Sequence, residues 1–230
     1  MRDMEIETPE RLDDLPIFPL ATVLFPGAVL PLHIFEDRYK EMMRFAIENG
    51  GLFGLSYKEN AFMGRETPPE VGSVGCLARI NAVMPVEEGR MNIVSTGLVR
   101  YRVRGLNQTL PFVLARVEPF TDDIEHDENL SALYNDQMEM YRKFLSALQS
   151  LDEAAMPFQQ DLPEDPEALS LLIASALPIE NHTKQQLLEM TSTRLRLTKL
   201  RPFVLQALAS YTKRIEVIDR AKSNGHAKLQ

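Results

Sequence analysis

Leu15 to Phe35 is a run of 21 residues without a formal charge. A run of that length is long enough to cross a bilayer as a helix. It also contains Pro16, Pro19, Pro26, Gly27 and Pro31. Each interior proline removes a helix hydrogen bond and costs roughly 3 kcal/mol. A lipid-exposed backbone broken so often would leave polar groups without partners. A membrane helix is therefore rejected, and the run is read as buried strands and turns.

The pattern that follows is mainly β up to about residue 121. Leu15 to Leu20 and Ala28 to Ile34 are extended runs on either side of Phe25-Pro26-Gly27, whose Pro-Gly order suits a type II turn. Glu36 to Asn49 is the clear helix of this half. Tyr39, Met42, Met43, Ala46 and Ile47 share one face of it, and Gly50 suits its C-terminal end. Further strands are predicted at Leu52 to Tyr57, Val74 to Val83, Arg90 to Thr96, Leu98 to Arg104 and Pro111 to Val117. A polar loop runs from Glu59 to Gly72 and a hairpin turn lies at Glu87-Glu88-Gly89. Short strands with glycine punctuation and one helix predict a small barrel or closed sheet.

The second half reads as helix. One helix is predicted over Asn129 to Leu151, and another from an Asp165 cap with Pro166 at the first position through Ala176. A Thr183 capping box is predicted to open a third. In the last stretch Leu197, Val204, Tyr211 and Ile218 recur every seven residues, with Leu200, Leu208 and Ile215 between them. That seam is read as the core of an internal bundle, with Pro202 expected to kink or restart the helix. The class is α+β, with an acidic tail over 1–14, a β-rich domain over 15–121, a helical bundle over 122–222 and a polar tail over 223–230.

Charge is unevenly spread. The net charge is −8, made up of −3 over residues 1–120, −12 over 121–180 and +7 over 181–230. The total argues against general nucleic-acid or anionic-membrane binding. The acidic and basic stretches either face each other or form a solvated loop and tail. The lone Cys76 excludes an internal disulfide and is read as a small buried hydrophobe in a cytoplasmic protein.

Motifs for chemistry are missing. No glycine precedes a lysine, so there is no phosphate loop of the G-x-x-x-x-G-K-[ST] kind. His33, His126, His182 and His226 form no close pair, so metal-ligand spacing is absent. Gly54-Leu55-Ser56-Tyr57-Lys58 lacks the second glycine of a nucleophile elbow. His33 is read as a satisfied, partly buried histidine. No catalytic residue, cofactor or metal is expected. Arg100, Arg102 and Arg104 lie on one side of an alternating strand. They could hold phosphates or an acidic peptide, or they could be solvated or paired within the chain.

Three blocks of sequence carry a resemblance. The first is Leu15-Pro16-Ile17-Phe18-Pro19-Leu20, then Leu24-Phe25-Pro26-Gly27, Leu30-Pro31-Leu32 and Ile34-Phe35-Glu36-Asp37-Arg38-Tyr39. The second is Gly72-Ser73-Val74-Gly75, Ala78-Arg79-Ile80, Gly89-Arg90-Met91-Asn92-Ile93 and Gly97-Leu98-Val99-Arg100-Tyr101-Arg102-Val103. The third comprises Ala174 to Ile179, Lys184 to Met190 and Arg194 to Leu200. In this order they resemble the amino-terminal domain of the Lon protease family, over most of residues 15–210. The resemblance implies a PUA-like β-barrel followed by a helical bundle. It also implies a substrate-recognition role without the ATPase and Ser-Lys protease domains that follow in Lon. No catalytic residue carries over.

The expected function is a non-enzymatic module that binds unfolded or partner polypeptides. It would serve as an adaptor or accessory factor to a protease or chaperone in quality control. Its site is expected in a groove between barrel and bundle, with Phe25, Pro26, Phe35 and Tyr39 as apolar contacts; the alternative for all four is core packing. The rival expectation is an RNA-binding protein that uses the Arg100, Arg102 and Arg104 stripe.

Overall fold

The computed structural model describes residues 12–59, 68–108, 111–125, 129–151 and 162–226. Most of the acidic tail, the centre of the Glu59–Gly72 loop, His126 and the last four residues lie outside the described residues. In order, the elements are β1 (Leu12–Leu20), β2 (Val29–Ile34), α1 (Asp37–Glu48), β3 (Leu52–Tyr57), β4 (Val74–Pro85), β5 (Met91–Gln108), β6 (Val113–Pro119), α2 (Leu130–Leu151), α3 (Pro166–Ala176), α4 (Asn181–Leu188) and α5 (Thr193–His226). The chain divides into two compact units. One is the chain up to Thr121 together with Glu180–Thr191; the other is Asp122–Ile179 together with the chain from Ser192.

The first unit is a mixed sheet in the order β2-β5-β4-β3-β1-β6, with an added β5–β6 pairing. That pairing closes β5, β4, β3, β1 and β6 into a ring and leaves β2 outside it. The β1–β3 pair is parallel and the others are antiparallel. The two strands expected on either side of Gly97 are one strand, β5, of 18 residues. Its Met91–Thr96 half pairs with β2, and its Tyr101–Gln108 half pairs with β6.

Gly97 marks the changeover and makes it possible. A Cβ there would lie 2.2 Å from the Phe25 carbonyl oxygen and 3.0 Å from Cys76 Sγ. The Pro26-Gly27 turn docks at this bare spot. Gly27 N–H donates to the Gly97 carbonyl and Gly97 N–H donates to the Ala28 carbonyl, both at 2.9 Å. Gly27 itself has φ +79°, as the third residue of a type II turn requires.

Among the described residues, two apolar clusters fill this unit. One gathers Phe18, Ile34, Phe53, Met91 and Ile93 under the α1 face of Tyr39, Met42, Met43 and Ala46. Ile47, expected on that face, is 41% exposed. At 100° per residue it sits about 80° from Tyr39, at the margin of the stripe. The other cluster centres on Tyr101, whose hydroxyl donates to the Leu55 carbonyl at 3.2 Å. Cys76 is fully buried, and burial pushes its thiol pKa up, so it stays protonated and inert.

Helix α4 packs with this sheet. Arg100 is 2% exposed and donates to the carbonyls of Leu188 at 2.9 Å and Met190 at 2.7 Å, at the negative end of the helix dipole. Asn181 donates to the Ala21 carbonyl, and Gln185 to that of Val74. The helix opens at Asn181 behind an extended Glu180 without a side-chain cap. Thr183 therefore lies inside it, and the predicted capping box is not the start.

The second unit holds α2, α3 and α5. Asp165 caps α3, accepting from Ala168 N–H at 2.7 Å, with Pro166 in the first turn. Leu197, Leu200 and Val204 of the heptad seam are fully buried, and the burial fades towards Ile218. Helix α5 runs on through Pro202 without a restart. Phe144 of α2 meets Tyr211 of α5 edge to face, at 5.6 Å between centroids. A buried polar cluster organises the start of α5. The Arg196 guanidinium, with no exposed side-chain area, bridges Asp122 and Ser170, and Thr193 also donates to Asp122. Glu125 accepts from Ser192 and from the Arg194 N–H.

These contacts set the expected stability of three variants. Gly97→Ala should cost about 1–3 kcal/mol in urea unfolding, because the added methyl collides with backbone. Asp122→Ala should cost about 3–5 kcal/mol by stranding a buried guanidinium. Asp136→Ala, which breaks only the exposed 3.2 Å pair with Arg201, should stay within about 1 kcal/mol of the parent. Equal effects of the two aspartate substitutions would refute the assignment of the Arg196 cluster as the buried organiser.

Candidate functional site

The turn at Phe25–Gly27 sends β2 along β5, and the chain then reverses into α1 through Phe35 and Glu36. The Glu36 backbone is extended, with φ −73° and ψ 135°, and its carbonyl accepts from the Tyr39 and Lys40 N–H groups. This tight entry leaves Phe35 between the elements with its side chain outward, 55% exposed. Its ring stacks on His33 at 5.9 Å between centroids and 22° between planes. His33 is exposed on the outer face of β2 and not partly buried as expected. It is satisfied by Asn92 Oδ1, 2.6 Å from its Nδ1.

A cavity of about 160 Å³ opens beside these residues. Its walls are Phe18–Leu20 of β1, Leu32–Ile34 of β2, Phe35, Glu36 and Tyr39. Phe18 and Tyr39 form its floor, with ring centroids 4.4 Å apart. The rim charges are paired locally. Arg38 donates to the Glu36 carboxylate at 2.6 Å and lies over the Tyr39 ring at 4.7 Å. Lys40 sits 2.6 Å from Asp37 and holds that carboxyl below its usual pKa range. What remains is an apolar hollow with the His33 imidazole at its edge.

Of the four residues singled out from sequence, Phe35 and Tyr39 line this hollow. Phe25 is 1% exposed and packs inside the first unit, while Pro26 is half-buried in the turn. Sequence reasoning missed Phe18, Leu20 and Leu32 as walls. The period-2 alternation of Leu30, Leu32 and Ile34 was the available signal for one of them. A second cavity, of about 250 Å³, lies in the helical unit among Phe203, Ala207, Tyr211 and Arg214. It contains none of the four.

The arginine stripe is not a uniform solvent-facing row. Arg100 is buried at the end of α4, and its guanidinium and that of Arg102 lie 4.8 and 4.4 Å from the Phe120 ring centroid. Arg104 is the exposed member and pairs with Glu118 at 2.7 Å. Among the described residues there is no group of three or more His, Cys, Asp or Glu placed to hold a metal ion, and no helix long and apolar enough to cross a membrane.

Comparison with known proteins agrees with this architecture. The chain is 28% identical over 185 residues to a Lon protease of Anaeromyxobacter dehalogenans, covering 80% of this chain and 22% of that protein. It is 26% identical over 213 residues to a Lon protease of Bacillus thuringiensis, covering 91% of this chain and 26% of that one. It therefore spans about a quarter of the length of these relatives. Among solved structures, the N-terminal domain of a Mycobacterium avium complex Lon protease aligns with TM-score 0.61 and 22% identity, over 84% of this chain and 98% of that one. The Lon N-terminal domain protein of Xanthomonas campestris aligns with TM-score 0.56 and 24% identity, over 83% and 98%. Those two likenesses establish the fold. The family profile of the ATP-dependent protease La (LON) substrate-binding domain matches residues 14–206, and the chain belongs to that family.

Proposed function

We propose that this chain is a non-enzymatic polypeptide-binding module that holds an extended apolar segment in the hollow beside Phe35. In this reading it serves as an adaptor or accessory factor in protein quality control, in the cytoplasm, where Cys76 stays a thiol. One observation carries the assignment. A large aromatic ring stands 55% exposed at the rim of an apolar cavity, held in place by a stacked, hydrogen-bonded histidine. Exposed apolar surface next to a concavity marks interaction sites more often than it serves stability. Aromatic anchors of this kind carry much of the energy of protein interfaces. The family's description as a substrate-binding domain supports the same reading.

The test is fluorescence anisotropy against a labelled polypeptide kept unfolded by carboxymethylation of its reduced cysteines. The parent should bind saturably. Phe35→Ala should weaken binding by about tenfold or more. Its Tm should move by no more than about 2 °C, because an exposed side chain contributes little to folding. Phe25→Ala should instead lower stability by about 3–5 kcal/mol, as loss of a buried ring does. A parent that never saturates, or a Phe35→Ala variant that binds as tightly as the parent, would refute the proposal.

A further inference from the structure

We infer that the segment bound at this hollow is captured as an added β-strand along the free edge of β2. The inference rests on the polypeptide-binding reading and specifies how the ligand is recognised. Strand β2 ends the sheet order, so among the described strands it pairs on its β5 side alone. The phase of that pairing is fixed by the bond from Gly97 N–H to the Ala28 carbonyl. Antiparallel pairs alternate, so Leu30, Leu32 and Ile34 exchange hydrogen bonds with Ser95, Ile93 and Met91. The backbone groups of Val29, Pro31 and His33 therefore point to the side where the sheet has no further strand among the described residues.

Proline at the middle position fits this phase, since its missing N–H falls on the outer edge. Natural edges are guarded by charges, bulges and prolines. This edge has the proline alone. Val29 to Ile34 contains no charged residue, and the register with β5 shows no bulge. Five groups stay available: N–H and C=O of Val29, C=O of Pro31, and N–H and C=O of His33. They span about 13 Å, so the ligand needs at least about five extended residues. Val29, 64% exposed, and Phe35, 55% exposed, flank the edge and would cover the added strand. A ligand side chain on the Leu30–Leu32 side would face the cavity. Its volume of about 160 Å³ suits one large apolar side chain.

A second copy of this chain is the competing occupant, and the geometry disfavours it. Antiparallel β2–β2 pairing across a two-fold axis in the register that uses the whole edge would set Pro31 against Pro31 and lose both central hydrogen bonds, and the shifted registers leave part of each edge unpaired. A heterologous strand supplies its own N–H opposite Pro31 and loses only one.

Amide hydrogen exchange of the whole protein tests the inference, with the carboxymethylated unfolded polypeptide as probe. At saturation the Val29 and His33 amides should exchange at least about tenfold more slowly, while those of Leu32 and Ile34, already paired to β5, should change little. Pro31→Ala restores an outward N–H and should tighten binding by about three- to tenfold. Binding that depends on Phe35 but leaves both amides and the Pro31→Ala affinity unchanged would overturn strand addition and keep the wider reading. Protection of the two amides without probe, rising with protein concentration, would assign the edge to self-pairing and also overturn it. Absence of any binding would remove the wider reading and this one together.

Discussion

The architecture of the first unit depends on the contact between a turn and a bare backbone at Gly97. Strand β5 is too long for a single partner on its outer edge. The ring strand β6 takes one half, and β2 takes the other. The exchange of hydrogen bonds between Gly97 and the Gly27–Ala28 peptides sets where one partner ends and the next begins. A side chain at 97 would collide with the Phe25 carbonyl. Once the turn is seated, the register of β2 is fixed and its far edge is left outside the ring. The reversal into α1 then places Phe35 outward beside Tyr39. The candidate site thus follows from how the barrel closes.

Two buried guanidiniums hold the remaining parts, and they are neutralised differently. Arg196 meets the Asp122 carboxylate, with hydroxyls from Thr193 and Ser170 close by. Arg100 donates to carbonyls at the end of α4, where the helix dipole supplies partial negative charge. Each tethers an element distant in sequence: residue 122 to 196 in one unit, and residue 100 to 188 and 190 in the other. Such contacts cost the protein little when complete and a great deal when one partner is removed. The exposed pairs, such as Arg104 with Glu118, decorate the surface.

Much of this was legible in the residues. The prolines between Leu15 and Phe35 ruled out a helix, and their spacing matches two strands around a turn. The Asp165-Pro166 start of α3 carried its own cap chemistry. The α1 stripe pointed to the right face except at its margin, Ile47. What the sequence could not show came from long-range pairing. Alternation put Arg100 with Arg102 and Arg104, but α4 covers that position and buries it. Glycine at 97 suggested a break between strands, whereas it permits a close approach within one. Thr183 offered a capping pattern, but the chain turned helical two residues earlier. For the site, Phe35 and Tyr39 were visible as apolar residues in a quoted motif. That one ring would be exposed and the other form a floor depended on the entry angle into α1. Phe18 and Leu20 joined them only through the tertiary fold.

On the proposed reading, apolar polypeptide is recognised at Phe35 and not by exposed apolar surface in general. Ile124 at 88% and Val217 at 58% are more exposed than Phe35 and lie in the other unit, so they provide stringent controls. The direct measurement is photo-cross-linking with a benzophenone amino acid placed singly at 35, 124 or 217, using a labelled unfolded polypeptide and mass-spectrometric mapping. Recognition at Phe35 predicts strong, competable cross-linking from position 35 and little from the other two. Equal labelling at all three, or labelling led by position 124, would contradict it.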